Sequence, residues 1–194
     1  MFKIVEFSHI LIQEFYKKSE NKNLIFIDAT CGNGNDTLFL AKTLNHMGTV
    51  IAYDIQKKAI DETQKLLSKT NFDNVVYHLS SHEFLIEDDF DLIIYNLGYL
   101  PGSDKKVTTK ANATLNSIKK ALSIINLKKD FLIIIVIYPG HHEGLIESKL
   151  IDAFSYQLPS NLYLVCRYQN YNRPFSPYII TISKHPTYIF YFTS

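Results

Sequence analysis

Cysteine is almost missing from this chain: Cys31 and Cys166 are the only two in 194 residues. That excludes a disulfide framework and fits a reducing compartment, the cytoplasm. Arginine is equally scarce, with Arg167 and Arg173 alone. The formal net charge is +1, so no global field draws the chain to nucleic acid, and any such surface must be a local patch. Long uninterrupted apolar runs are lacking too. The opening MFKIVEFSHILIQEF is broken by Lys3, Glu6, His9 and Glu14, which suits neither a signal peptide nor a membrane span. There is no internal repeat and no low-complexity linker. What remains is 46% hydrophobic and 20% charged, an ordinary globular composition. The length predicts one domain over residues 1–194 with a core large enough to need no staples.

The stretch from Leu24 to Thr37, LIFIDATCGNGNDT, organises the rest. Leu24 to Ile27 is an apolar run long enough for a buried strand, and Asp28 stands at its end. Gly32-Asn33-Gly34 then forms a tight turn, and Asn35-Asp36-Thr37 opens a helix that continues through Leu38 to Ala41. Glycines let the backbone turn sharply and approach a ligand closely. A helix start aims unpaired N–H groups and a positive dipole end back at the strand tip. Strand, glycine turn and helix together make a nucleotide-cofactor pocket, which Asp28 and residues 32–37 would line.

The remaining chain alternates. Ile4, Phe7, Ile10, Leu11 and Phe15 recur at helical spacing, predicting an N-terminal helix within residues 1–22, with His9 either near the pocket mouth or simply packed. Thr49 to Tyr53 reads as a second strand ending in Asp54. A carboxylate there can accept both hydroxyls of a ribose, or else cap the helix expected over Lys57 to Leu67. Gln56 is close enough to touch the same nucleoside. Val75 to Leu79 is a third strand running into Ser80-Ser81-His82-Glu83. Ser81 or His82 would border the base, and Ser80 with Glu83 would form a capping box.

Asp91 to Tyr95 is a fourth strand, followed by Asn96-Leu97-Gly98-Tyr99-Leu100-Pro101-Gly102. Open α/β sheets put reactive groups at such a strand end. A purely structural loop needs the glycines and proline but not Asn96 and Tyr99. Lys105, Lys106 and Lys110 beyond it are either a solvated surface or a phosphate patch. A helix is expected over Ala111 to Ile125, then a doubly covered strand over Phe131 to Ile137. His141, His142 and Glu143 follow. Adjacent histidines do not readily share one ion and no third ligand follows at metal spacing, so no metal is expected, and His141 reads as a base or substrate contact. Leu145 to Phe154 is a helix. Leu162 to Tyr168 and Tyr178 to Ile182 make an antiparallel pair joined by a turn-rich loop, where Arg173 with Tyr171 and Asn172 suits phosphate or base contact. Residues 184–194 form an apolar tail, expected to pack on the domain or on a second subunit.

The alternation closed by an antiparallel pair resembles the class I S-adenosylmethionine-dependent methyltransferases, with Asp28, Gly32, Gly34, Asp54 and Asn96 at their motif positions. The segments DATCGNGNDTLFLAK, AYDIQKKAI, SHEF, NLGYLPGSDKKVTT and YPGHHEG are similar, more specifically, to a small bacterial family labelled rRNA methylases. Its members methylate a wobble uridine of tRNA, converting 5-aminomethyl-2-thiouridine to its methylaminomethyl form. The resemblance implies an α/β Rossmann-like fold with a mostly parallel seven-stranded sheet, an antiparallel last strand and helices on both faces. It implies S-adenosylmethionine as cofactor, a tRNA anticodon arm as partner, and a homodimer. Asn96 resembles the amide of amino-directed methyltransferases that aims an amine lone pair, Tyr99 would stack on the base, and His141 would relay a proton. The same motifs also fit methylation of an rRNA base or a small amine. A dehydrogenase fits poorly, because Thr37 stands where a third small residue is needed. A degenerate RNA-binding module would bind no cofactor, yet Gly32, Gly34 and Asp54 are all present.

Overall fold

A computed structural model describes residues 3–98 and 111–185. Its elements, in chain order, are α1 (Ile4–Lys18), β1 (Ile25–Asp28), α2 (Asn35–Leu44), β2 (Thr49–Asp54), α3 (Lys57–Leu67), β3 (Val75–Leu79), β4 (Leu92–Leu97), α4 (Ala111–Ile124), β5 (Leu132–Ile137), α5 (His142–Tyr156), β6 (Tyr163–Tyr168) and β7 (Tyr178–Lys184). A single 3-10 turn over His82–Phe84 sits between β3 and β4.

The strands form one seven-stranded sheet in the order β3-β2-β1-β4-β5-β7-β6. The five strands from β3 to β5 are mutually parallel, and β7 runs antiparallel to both β5 and β6. The expected fold class is therefore what the chain adopts. The apolar strand runs are explained by burial on both faces. Alternate residues Phe26, Val50, Leu92, Ile94, Ile134 and Val136 pack with Ile12 of α1 and Leu40, Ala41 and Leu44 of α2. Their neighbours Ile27, Ile51, Ile93, Ile133 and Ile135 pack with Ile118 and Ala121 of α4 and Ile151 of α5. The period of two along each strand thus feeds two separate apolar layers.

This order places the functional crevice. From β1 the chain steps outward through β2 to β3, then returns to the other side of β1 to build β4 and β5. Connections diverge between β1 and β4, where Asp28 pairs in register with Ile94. Ligands of open α/β sheets bind at that switch, beyond the carboxyl ends of the strands.

Several boundaries differ from expectation. Asn96 lies inside β4 rather than after it, because its backbone continues the parallel ladder opposite Val136. Helix α5 begins at His142, three residues before Leu145, because His141 caps it: Nδ1 accepts from the Gly144 N–H at 3.0 Å. Strand β7 runs to Lys184, so the first residue assigned to the apolar tail is a sheet residue. The cap after β3 is Ser81, not Ser80, with Ser81 Oγ accepting from the Glu83 N–H at 3.2 Å. Among the described residues no helix is long and apolar enough to cross a membrane. Tyr99, Lys105, Lys106, Lys110 and residues 186–194 lie outside the described residues.

Candidate active site

The glycine turn is held by its own neighbours. Gly32 and Gly34 have φ of 51° and 79°, the left-handed region that residues with a Cβ avoid. A Cβ on Gly34 would lie 2.9 Å from the Thr63 Cα, so α3 leans directly on the turn. The Gly34 N–H donates to the Cys31 carbonyl at 2.7 Å. Gly34 also caps α2, and having no side chain it leaves the first-turn N–H groups of that helix without a side-chain acceptor.

Asp28, at the tip of β1, is fully buried. Its Oδ2 accepts from Thr37 Oγ1 at 2.6 Å and its Oδ1 from the Thr30 N–H at 3.1 Å. The carboxylate therefore ties strand, turn and helix together. Burial first, then the nearby Asp36 charge, pushes its pKa up to about 7. Asp54, at the tip of β2, accepts from the Gly32 N–H at 3.0 Å and the Gln56 N–H at 2.9 Å. It is a cross-link from β2 to the glycine turn rather than a side-chain cap of α3, which has none. A carboxylate has about four acceptor positions, so two remain for ligand hydroxyls. Burial raises its pKa. The exposed apolar Ile55 follows directly.

The tip of β4 meets this assembly. The Asn96 N–H donates to Thr30 Oγ1 at 3.0 Å, and the Thr30 hydroxyl donates back to the Asn96 carbonyl at 3.2 Å. Asn96 Nδ2 donates to Asp36 Oδ2 at 2.8 Å. The other oxygen of Asp36 lies 2.6 Å from His9 Nε2. The Tyr138 ring, at the end of β5, comes within 3.9 Å of a Cβ built on Gly98. Burial, with the Asp36 charge, pushes its phenol up to about 12.

Other expected site residues fall at the rim or elsewhere. Asn33 is exposed on the turn and Asn35 is exposed at the start of α2. His82 is buried edge-on against Tyr95, and burial lowers its pKa to about 4, so the ring is neutral. Its Nδ1 has no partner among the described residues. His141 spends Nδ1 on its cap. Arg173 is exposed in the β6–β7 loop and makes no ion pair among the described residues. Arg167 is engaged, stacking 4.0 Å from the Tyr178 ring centroid and pairing with Asp152 at 3.0 Å. Among the described residues no group of three or more His, Cys, Asp or Glu is placed to hold a metal ion.

Sequence reasoning missed Thr30, Ile55, Thr63 and Tyr138 and left His9 undecided. Thr30 and Ile55 had a signal, since they stand two residues and one residue after the strand-tip carboxylates Asp28 and Asp54. Thr63 and Tyr138 reach the site only through the packing of α3 and β5.

Carboxylates at positions 28, 36 and 54 suit a ligand that carries positive charge and ribose hydroxyls, while two left-handed glycines and an uncapped helix start leave backbone N–H groups for its anionic or acceptor groups. With the strand order, they define a class I S-adenosylmethionine-dependent methyltransferase. Comparison with known proteins narrows the class. The family described as "Putative rRNA methylase" matches residues 50–184, and the chain belongs to it. A relative from Arabidopsis thaliana, named tRNA (mnm(5)s(2)U34)-methyltransferase, chloroplastic, is 35% identical over 94% of this chain and 69% of its own length. A Clostridium thermocellum crystal structure with the same rRNA-methylase description superposes with a TM-score of 0.86 at 31% identity, covering 95% of this chain and 98% of that one. A Streptococcus mutans structure in complex with SAH gives 0.78 at 32% identity, covering 95% and 99%.

Proposed function

We propose that this protein N-methylates the 5-aminomethyl group of wobble 5-aminomethyl-2-thiouridine in tRNA, giving 5-methylaminomethyl-2-thiouridine. The observation that carries the reading is Asn96. Its amide is fixed at the switch point with Nδ2 on a carboxylate, which turns Oδ1 away from Asp36 as an acceptor for an N–H. The name of the Arabidopsis relative supports the same substrate.

The cofactor supplies a methyl group already activated on a sulfonium. The chain's task is to present an amine with its lone pair in line. Asp54 takes the ribose hydroxyls, with Gln56 and Ile55 beside the nucleoside and Ser81 and His82 near the base. Gly32, Asn33, Gly34, Asn35, Asp36 and Thr37, tied to β1 by the buried Asp28, would hold the rest of the cofactor. Asn96 Oδ1 accepts from the substrate amine and aims its lone pair, and Tyr99 stacks on the uracil. His141 Nδ1 accepts from the Gly144 N–H, so the neutral ring carries its proton on Nε2; His141 serves as a donor contact to the substrate, and the amine proton leaves to solvent. Lys105, Lys106, Lys110 and Arg173 contact phosphates of the anticodon arm, within a homodimer in the cytoplasm.

The test is nucleoside mass analysis of tRNA and rRNA from cells lacking the protein, repeated after adding purified protein and S-adenosylmethionine. Accumulated aminomethyl-thiouridine in tRNA, converted in vitro, is expected. A methyl missing only from rRNA would replace this reading with rRNA methylation, and no change in either would redirect it to small amines. Asn96→Ala should lower turnover about 100-fold with cofactor binding retained. Full turnover in that variant would remove Asn96 from its role.

A further inference from the structure

Helix α1 precedes the cofactor motif, and its His9 belongs to none of the motifs read above. Yet the ring is held from two sides against the start of α2. It stacks on Phe39 of α2, with centroids 3.7 Å apart and planes within 7°. In that orientation its Nε2 meets Asp36 Oδ1 at 2.6 Å. Phe39 and Asp36 are three residues apart on α2, so they present one face to α1. The His9 side chain is 23% exposed and that of Asp36 only 8%, which makes the contact a well-shielded one.

The chain of contacts continues inward. Asp36 uses its second oxygen for Asn96 Nδ2. An ionised carboxylate only accepts, so the Asn96 amide group facing it must be the NH2. This leaves one orientation of Asn96, with Oδ1 available to a substrate amine. If Asp36 swings, both rotamer and flip of Asn96 lose their constraint. A carboxylate on a short side chain can swing about its χ angles unless its other oxygen is anchored, and His9 supplies that anchor.

We propose that His9 is a positioning residue for amine methylation, acting through Asp36 to fix the Asn96 amide in its lone-pair-aiming orientation. The proposal rests on the amine-methylating reading above. It gives α1 a function beyond covering the sheet: the helix carries the outermost member of a three-residue chain into the acceptor side of the site. His9 does not touch the substrate, and no proton or bond change is assigned to it.

The test is a double-mutant cycle on purified full-length protein, with aminomethyl-thiouridine tRNA as substrate. His9→Ala should lower kcat about tenfold, with KM for tRNA and the calorimetric Kd for S-adenosylmethionine changed less than about threefold. His9→Gln, whose side-chain N–H can still reach the carboxylate, should recover kcat to within about threefold of wild type. Asp36→Asn should cost about 100-fold in kcat, because an amide cannot accept from both neighbours in the same geometry. His9→Ala combined with Asp36→Asn should be no worse than Asp36→Asn alone, because residues acting as one unit are non-additive.

Multiplicative losses in the double variant would overturn the proposal. So would an unchanged kcat in His9→Ala, or a loss confined to cofactor Kd. Failure of His9→Gln to rescue would reduce His9 to packing on Phe39, which also overturns it. Active wild type with an indifferent His9 refutes this inference alone, whereas wild type inactive on this tRNA refutes the amine-methylating reading and the inference with it.

Discussion

Glu147 is a carboxyl group in an unfavourable place, and its cost can be measured. It lies on α5, 5% exposed, and accepts from the Thr114 hydroxyl of α4 at 2.7 Å. Burial lifts its pKa from an ordinary 4.5 to about 7, with the Thr114 bond pulling the other way. A folded pKa above the unfolded one means that folding favours the protonated form. The stability this group contributes is fully present below about pH 4.5 and is lost as pH rises through about 7. Each pKa unit is worth about 1.4 kcal/mol, so the whole separation amounts to about 3 kcal/mol. Glu147→Gln keeps an acceptor oxygen for Thr114 and removes the ionisation. Urea unfolding of both proteins should show the variant's advantage growing by about 2–3 kcal/mol between about pH 5 and about pH 8. Parallel stability profiles for the two proteins would refute the reasoning, because the ionised carboxylate would then be as well solvated folded as unfolded.

Gly34→Ala should destabilise the fold by about 2–4 kcal/mol, combining about 1–2 kcal/mol for a left-handed residue with a clash against the α3 backbone. Gly140→Ala is its control: a Cβ there meets nothing within 4 Å, and denaturation should show a change of less than about 0.5 kcal/mol. Equal effects at the two glycines would contradict the packing of Thr63 on the turn. Asp28 is protonated below about pH 7 because burial and the Asp36 charge oppose its ionisation. A cationic cofactor in the same crevice favours the carboxylate, so binding should release a proton and tighten as pH rises towards about 7, levelling off above it. Calorimetry at about neutral pH in buffers of different ionisation enthalpy reads that proton directly, and identical heats would refute the linkage.

The fold was legible because its signals are local. Apolar runs such as Ile133 to Ile137 announce strands buried on both faces, and Lys57–Leu67 forms a helix over the range its spacing predicts. The glycine turn was legible because left-handed backbone demands particular residues. Boundaries were harder wherever a side chain decides them. The cap of α5 by His141 cannot be read from a His-His-Glu run that equally suits chemistry. Partnerships were harder still. That Asp36 would join His9 to Asn96 follows from α1 lying on α2 and β4 lying next to β1, which are facts of tertiary packing with no local signature. Arg167 shows the converse, since one of two arginines in the sequence is spent on Tyr178 and Asp152 rather than on any ligand.

Strand β7 follows β6 in the chain but lies between β6 and β5 in the sheet. During synthesis, β5 therefore leaves the ribosome with one edge open, and β6 has nothing to pair with until the segment Tyr178–Lys184 emerges. The most apolar strand of the protein must wait through that interval as an unpaired template for other chains. Translational pauses between the codons of β5 and β7 would lengthen the exposure and lower the yield of soluble protein without altering a single amino acid.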